Sequence, residues 1–241
     1  MSKIWPRFLS FAHCSLLLLV IGFATSSRAE STCTALTTPF FATYFGSYKG
    51  WRIETTQQME QRQKDQWRLS IHADNVLGSI MEKSFFKVSP SGKIISQEYS
   101  YQKKILINKN SLTTVFDWVK KHALTTGNKT GDITLKGGEF DNLNYQLELR
   151  CDLMAGKTEF AYPVVDRNDA DNLEFKIVGE EVLETKIGKL NTVVVKRVRN
   201  NNNRITTLWF AKDLDYQMVK LLQEERKDTE AYLLYIESLK K

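Results

Sequence analysis

The sequence predicts a mainly β protein: a strongly curved antiparallel sheet or partly open barrel with one or two packed helices. Three observations carry this expectation. Segments of alternating apolar and polar residues recur along the chain, turns rich in Gly, Pro and Asn separate them, and one stretch shows clear helical spacing. No internal repeat, low-complexity tract or long linker divides the chain, so residues 30–241 read as a single domain.

The first strand is aromatic-rich: Phe41, Thr43, Phe45 and Ser47 alternate with Ala42, Tyr44, Gly46 and Tyr48, and the run stops at Gly50. Trp51 to Met59 and Gln66 to Ala73 continue the β texture. Ser84 to Val88 and Lys93 to Tyr101 flank Ser89-Pro90-Ser91-Gly92, a tight-turn signal. Leu112, Val115, Phe116, Val119 and Ala123 then recur at the spacing of one helical face. Asn110 or Ser111 is available as N-cap and Gly127 lies beyond the end, so 112–124 is expected to be a helix lying across the sheet.

Asp141 to Leu153 is ambiguous. Its apolar residues occupy odd positions, as in a strand, yet Asp141 suits an N-cap and Leu143, Leu147 and Cys151 share a helical face; periodicity alone favours strand. Leu190 to Arg199 and Arg204 to Ala211 flank Asn200 to Asn203, where asparagine tolerates the positive φ of a hairpin turn. Tyr216 to Glu225 and Glu230 to Leu239 form the closing hairpin.

The N-terminus carries an address. Lys3 and Arg7 precede an apolar run densest from Leu16 to Phe23, and Ser27-Arg28-Ala29 places small residues where a signal peptidase cuts. The run is about half the ~20 residues that span a bilayer, so residues 1–29 read as a cleaved signal peptide and no transmembrane anchor is expected afterwards. Cys14 precedes the apolar core, which argues against lipid modification. The expected location is the periplasm. Without Lys3, Arg7 and Arg28, 34 basic residues become 31 against 28 acidic ones, a net charge of +3 that is too mild to predict a nucleic-acid partner. Of the cysteines, Cys33 and Cys151 survive cleavage and make a candidate disulfide in an oxidising compartment.

Recognisable catalytic chemistry is absent. The pattern Gly-x-Ser-x-Gly, a zinc motif and a phosphate loop do not occur, and no cofactor is expected. His72 and His122 are the two histidines after the leader, one in a strand and one near the end of the predicted helix. Asp166 to Asp171 fails as a calcium loop at Ala170, Asp171 and Ile177. Glu180, Glu181 and Glu184 read as exposed edge charges.

Phe, Trp and Tyr make up 11% of the chain, enough to fill a curved sheet or to line a cavity within it. The candidate lining is Phe45, Trp51, Trp67, Phe116, Trp118 and Trp209, with a lipid or other amphiphile as the expected ligand. Lys103, Lys104, Lys196, Arg197, Arg199 and Arg204 are candidates to meet anionic head groups, although scattered solvated charges are the commoner case. A scaffold that binds an envelope protein partner through strand edges is the alternative, and a hydrolase assembled from distant residues is third.

Phe116-Asp117-Trp118, Asp141-Asn142-Leu143, Gly179-Glu180-Glu181, Gly188 to Thr192 and Leu208 to Asp213 occur in this order. Together they resemble an exported bacterial family, the domain of unknown function family numbered 3108, from about Tyr44 to the C-terminus. Ala211-Lys212-Asp213 stands where Ala-Pro-Asp is usual, and the proline that follows is missing, with Gln217-Met218 in its place. The resemblance implies a β-rich periplasmic protein and favours helix for 141–153. It implies no activity and no catalytic residues.

Overall fold

Strand follows strand almost without interruption. The computed structural model describes residues 33–48, 50–200, 203–225 and 228–241, and the leader 1–29 lies outside them. The first half contains β1 (Phe40–Tyr48), β2 (Trp51–Gln63), β3 (Gln66–Asn75), β4 (Gly78–Val88), β5 (Ile94–Ile105), β6 (Asn108–Asp117), β7 (His122–Gly127) and β8 (Gly131–Thr134). After α1 (Tyr145–Met154) come β9 (Glu159–Asp166), β10 (Asp169–Thr185), β11 (Gly188–Val198), β12 (Arg204–Ala211), β13 (Gln217–Glu225) and β14 (Asp228–Lys240). Short 3-10 turns cover Thr34–Leu36 and Lys212–Leu214.

The strands form one antiparallel sheet in the order β8-β7-β6-β5-β4-β3-β2-β1-β14-β13-β12-β11-β10-β9. Each strand pairs with its sequence neighbour within a half, and β1 pairs with β14 to join the halves. The sheet is nearly closed into a barrel, with β8 and β9 facing each other across a seam. There Gly131 is required, because a Cβ would sit 2.5 Å from the backbone of Arg167. Phe140 forms a parallel bridge to Val164 and covers part of the β9 edge, while β8 is only four residues long. Short, covered edges discourage pairing with another chain.

Register fixes what faces inward. Tyr44, Thr55, Ala73 and Ile80 lie on one face, as do Leu69, Ser84, Tyr99, Thr114 and Thr125. Val193, Val195 and Arg197 share the inner face with Phe175, Leu208 and Phe210. The distal part of the β10–β11 hairpin lies against the outside. Lys186 pairs with Glu237 of β14 and reaches over the Phe45 ring of β1, and Leu183, Leu190 and Trp209 are buried beneath.

The helix expected at 112–124 is not formed; the segment is the β6–β7 hairpin. Leu112 and Phe116 point inward on β6, but Val115 points out and Val119, at the turn, is 94% exposed. The β-branched run Thr113-Thr114-Val115 suits a strand, and Thr114 and Thr125 hydroxyls bond across the hairpin at 2.8 Å. Asp117 Oδ1 accepts the N–H groups of Val119 and Lys120, and Lys121 takes φ 57°, which completes a turn where helical spacing had placed a third turn of helix.

Residues 145–154 are helical, as the family resemblance implied and against the odd-position alternation. The reason is location. Leu143 and Leu147 pack with residues of β1–β5, β13 and β14, whereas Leu149 and Leu153 pack with β9–β12. A helix with core on several sides loses its one-face pattern. Cys33 and Cys151 form a disulfide across 118 residues of sequence, tying the N-terminal 3-10 turn to α1.

Candidate functional site

The two ends of the barrel interior differ. The end holding Phe40, Met59, Trp67, Phe86 and Ile94 is dry: each of these side chains is buried, and α1 with Leu36 packs against them. Inside this region Asp141 is fully enclosed. Its Oδ2 accepts from Ser84 Oγ at 2.5 Å and its Oδ1 from the N–H groups of Leu143 and Asn144 at 2.8 and 2.9 Å. Asn144 Nδ2 donates to Ser96 Oγ, which donates to the Glu139 carbonyl. Burial pushes the Asp141 carboxyl up to about 7 despite those donors, and repulsion from Glu82 adds to the effect. With its oxygens engaged by fixed donors, this network serves to anchor the start of α1 to β4 and β5.

A second buried network lies near the disulfide. Gln217 Nε2 donates to Tyr44 Oη and to Gln57 Oε1, and Tyr44 Oη donates to the Met218 carbonyl at 2.9 Å. Burial raises the Tyr44 phenol to about 12. Arg150 holds the Asp215 carbonyl through Nε and Nη2, and burial lowers its guanidinium to about 10.

Toward the opposite end the inward side chains change character. Ile71, Glu82, Tyr101, Leu112, Tyr145, Arg197, Arg199, Leu221 and Tyr232 all keep partial solvent exposure. Tyr99 Oη donates to Glu82 Oε2 at 2.6 Å, and burial raises the Glu82 carboxyl against that bond. Tyr145 stacks on Phe175 with centroids 5.9 Å apart. Its phenol is raised to about 12, chiefly by burial, while Arg197 and Arg199 pull it down and Glu82 pushes it up. Arg199 is lowered to about 10 by burial and then by the positive charges of Arg197 and Arg204. Among the described residues neither Arg197 nor Arg199 has a carboxylate partner, and Arg197 Nε is buried without a hydrogen bond. Arg199 Nη1 donates to the Arg204 carbonyl and to Thr206 Oγ1, each at 3.2 Å. The result is a cationic pair beside an aromatic and aliphatic wall.

The six aromatic residues singled out from sequence do not converge here. Trp67 is in the dry core. Phe116 and Trp118 stack on each other at 6.0 Å, and Trp118 Nε1 donates to the Ser96 carbonyl. Phe45 lies on the outer face under Arg52 and Lys186, and Trp209 lies there under Lys220. Trp51 is on the rim of the open end, 49% exposed. The tyrosines of the open end were missed, although Ile71, Glu82 and Tyr101 stand at matching register positions on three adjacent strands. Arg197 and Arg199 were legible as an i, i+2 pair on one strand face.

The histidines do not share a site. His72 is on β3, and His122, on β7, pairs with Asp132 at 2.9 Å in the open. Four strand spacings between them amount to roughly 19 Å. The β9–β10 turn and Lys129–Thr130 border an open cleft of about 510 Å³ at the seam, where Arg167 and Asp166 neutralise each other.

The family described as "Protein of unknown function (DUF3108)" matches over residues 41–234. The chain belongs to the DUF3108 family. The match runs from β1 into β14, so the DUF3108 unit is the barrel itself, with α1 inside it. No curated protein matches the chain. Among the described residues of this DUF3108 protein, no helix is long and apolar enough to cross a membrane.

Proposed function

We propose that the protein is an exported, non-enzymatic envelope protein that binds an amphiphile in the open half of its barrel. The apolar part of the ligand lies against Ile71, Tyr101, Leu112, Tyr145 and Tyr232, and an anionic head group sits at Arg197 and Arg199. The observation that carries this reading is the cationic pair: two guanidinium groups on one inward face, with no carboxylate partner among the described residues, beside a half-exposed apolar wall. Burying such charges is costly unless an anion joins them, and charge-assisted bonds to carboxylate or phosphate are the strong ones. Signal-peptide features and the disulfide support the envelope setting.

The test is native mass spectrometry of the chain purified from the periplasm, followed by titration with dodecyl phosphate and with neutral dodecyl maltoside. A co-purifying amphiphile is expected, as is dodecyl phosphate binding that weakens by about tenfold in Arg197→Gln. A ligand-free protein that binds neither probe overturns the reading.

A further inference from the structure

The turns after β1, β3, β5, β7, β9 and β11 lie at the open end of the barrel, and they are not alike. Those after β7, β9 and β11 carry Asn128-Lys129-Thr130, Arg167-Asn168 and Asn200, which are polar. Those after β1, β3 and β5 lie side by side in one sector and carry apolar residues outward. Ile107 is 92% exposed, Val76 80%, Leu106 67% and Trp51 49%. The Leu106 N–H donates to the Leu77 carbonyl at 3.0 Å, which holds the two aliphatic tips together. Five apolar residues, Val76, Leu77, Ile105, Leu106 and Ile107, thus form one exposed patch at the mouth, with Trp51 one turn away. Leu106 takes φ 52°, a conformation β-carbon sterics disfavour and one that turns its side chain to solvent.

The base of this patch is basic. Lys104 and Lys109 stand directly opposite each other on the outer face of β5 and β6, whereas Lys103, in register with Ile80, lies on the inner face. Like charges in register destabilise a strand pair. Neither Lys104 nor Lys109 has a carboxylate partner among the described residues. An aliphatic tip, an exposed tryptophan and a facing pair of lysines without carboxylate partners among the described residues match a membrane interface: chains below, indole at the head groups, lysines against anionic phosphates.

We infer that the open end docks on an anionic lipid bilayer through the turns of β1–β2, β3–β4 and β5–β6. Leu106 and Ile107 enter the acyl boundary, and Lys104 and Lys109 meet the head groups. Docking in this orientation sets the lumen mouth against the bilayer. The inference rests on the rim alone and stands whether or not the lumen holds a ligand.

Flotation with vesicles tests it, using the exported chain and vesicles of phosphatidylcholine with 30% phosphatidylglycerol, or of phosphatidylcholine alone. Expected is association with the anionic vesicles that falls as salt rises. Leu106→Ser/Ile107→Ser is expected to weaken it at least about tenfold, and each Lys→Gln change about fivefold. Both sets should leave the thermal midpoint unchanged, since these side chains support no core. No association of the wild-type chain, equal association of the serine variant, or equal binding to both vesicle types overturns the inference. So does a wild-type dimer that the serine variant abolishes while vesicles go unbound, because the patch is then a contact between copies.

Discussion

The two ends of this barrel are built from the same strands but solve opposite problems. At one end Phe40, Met59, Trp67 and Phe86 close on α1, a disulfide holds the plug, and polar groups such as Asp141 are satisfied by fixed donors. At the other, tyrosines and aliphatic residues stay half-exposed, two arginines have no carboxylate partner among the described residues, and the β1–β2, β3–β4 and β5–β6 turns present apolar tips. Alternation along a single strand links them: Thr55 and Met59 of β2, or Glu82 and Phe86 of β4, face the same interior a few residues apart. The contrast teaches that stability and recognition are segregated along the barrel axis.

The strongest way to break the contrast is to release the plug. Replacing Cys33 and Cys151 by Ser opens a loop of 118 residues, for which the chain-entropy model sets a ceiling of about 5 kcal/mol. We expect a loss of about 2–5 kcal/mol in denaturant unfolding, on the order seen for native disulfides. A loss below about 1 kcal/mol would show that packing alone holds α1.

The next effect is a pH dependence. Asp141 has its carboxyl raised from 3.8 to about 7, so the fold favours its protonated form. Its contribution to stability is fully present below about 3.8 and is lost as pH rises through about 7. A tenfold change in proton affinity is worth about 1.4 kcal/mol, so the rise at Asp141 sets a ceiling of about 4 kcal/mol. Unfolding free energies measured from pH 4 to pH 8 should fall more steeply in the wild type than in Asp141→Asn. Glu82, raised by its own burial, remains in both proteins, and its repulsion with Asp141 is lost in Asp141→Asn and so counts in the difference. Parallel curves would mean that Asp141 ionises in the fold as it does in the open chain.

The smallest effect sharpens the contrast most directly. Leu147→Ala at the closed end, where the side chain is 1% exposed, should cost about 3 kcal/mol. Leu112→Ala at the open end should cost less, about 1 kcal/mol, because its side chain is only partly buried. Equal costs would erase the distinction between the two ends.

Several elements were legible from local pattern. Turn residues such as Ser89-Pro90-Ser91-Gly92 and alternating runs such as Leu190 to Arg199 marked strands that the structure contains. The hairpins at 122–134 and 159–185 went unread, since Gly131, Asp169 and their neighbours give weak turn signals of mixed polarity. The six aromatic residues proposed as lining were chosen by type. Face and depth were invisible without register, so Phe45 and Trp209 on the outside looked equivalent to Trp67 within.

By itself, then, the sequence determined the β class, the pairing of neighbouring strands through short turns, the family, and the two cysteines available for a bond. These depend on interactions among residues close in the chain or on composition. Tertiary structure decided the rest. Residues 112–124 became a hairpin because cross-strand pairing and the Asp117 turn outweighed a coincidental helical spacing. Residues 145–154 became a helix because a barrel surrounds them and removes the need for one apolar face. The dry end, the half-exposed end and the apolar rim exist only once β1 meets β14 and the sheet curls, since that closure decides which faces share an interior.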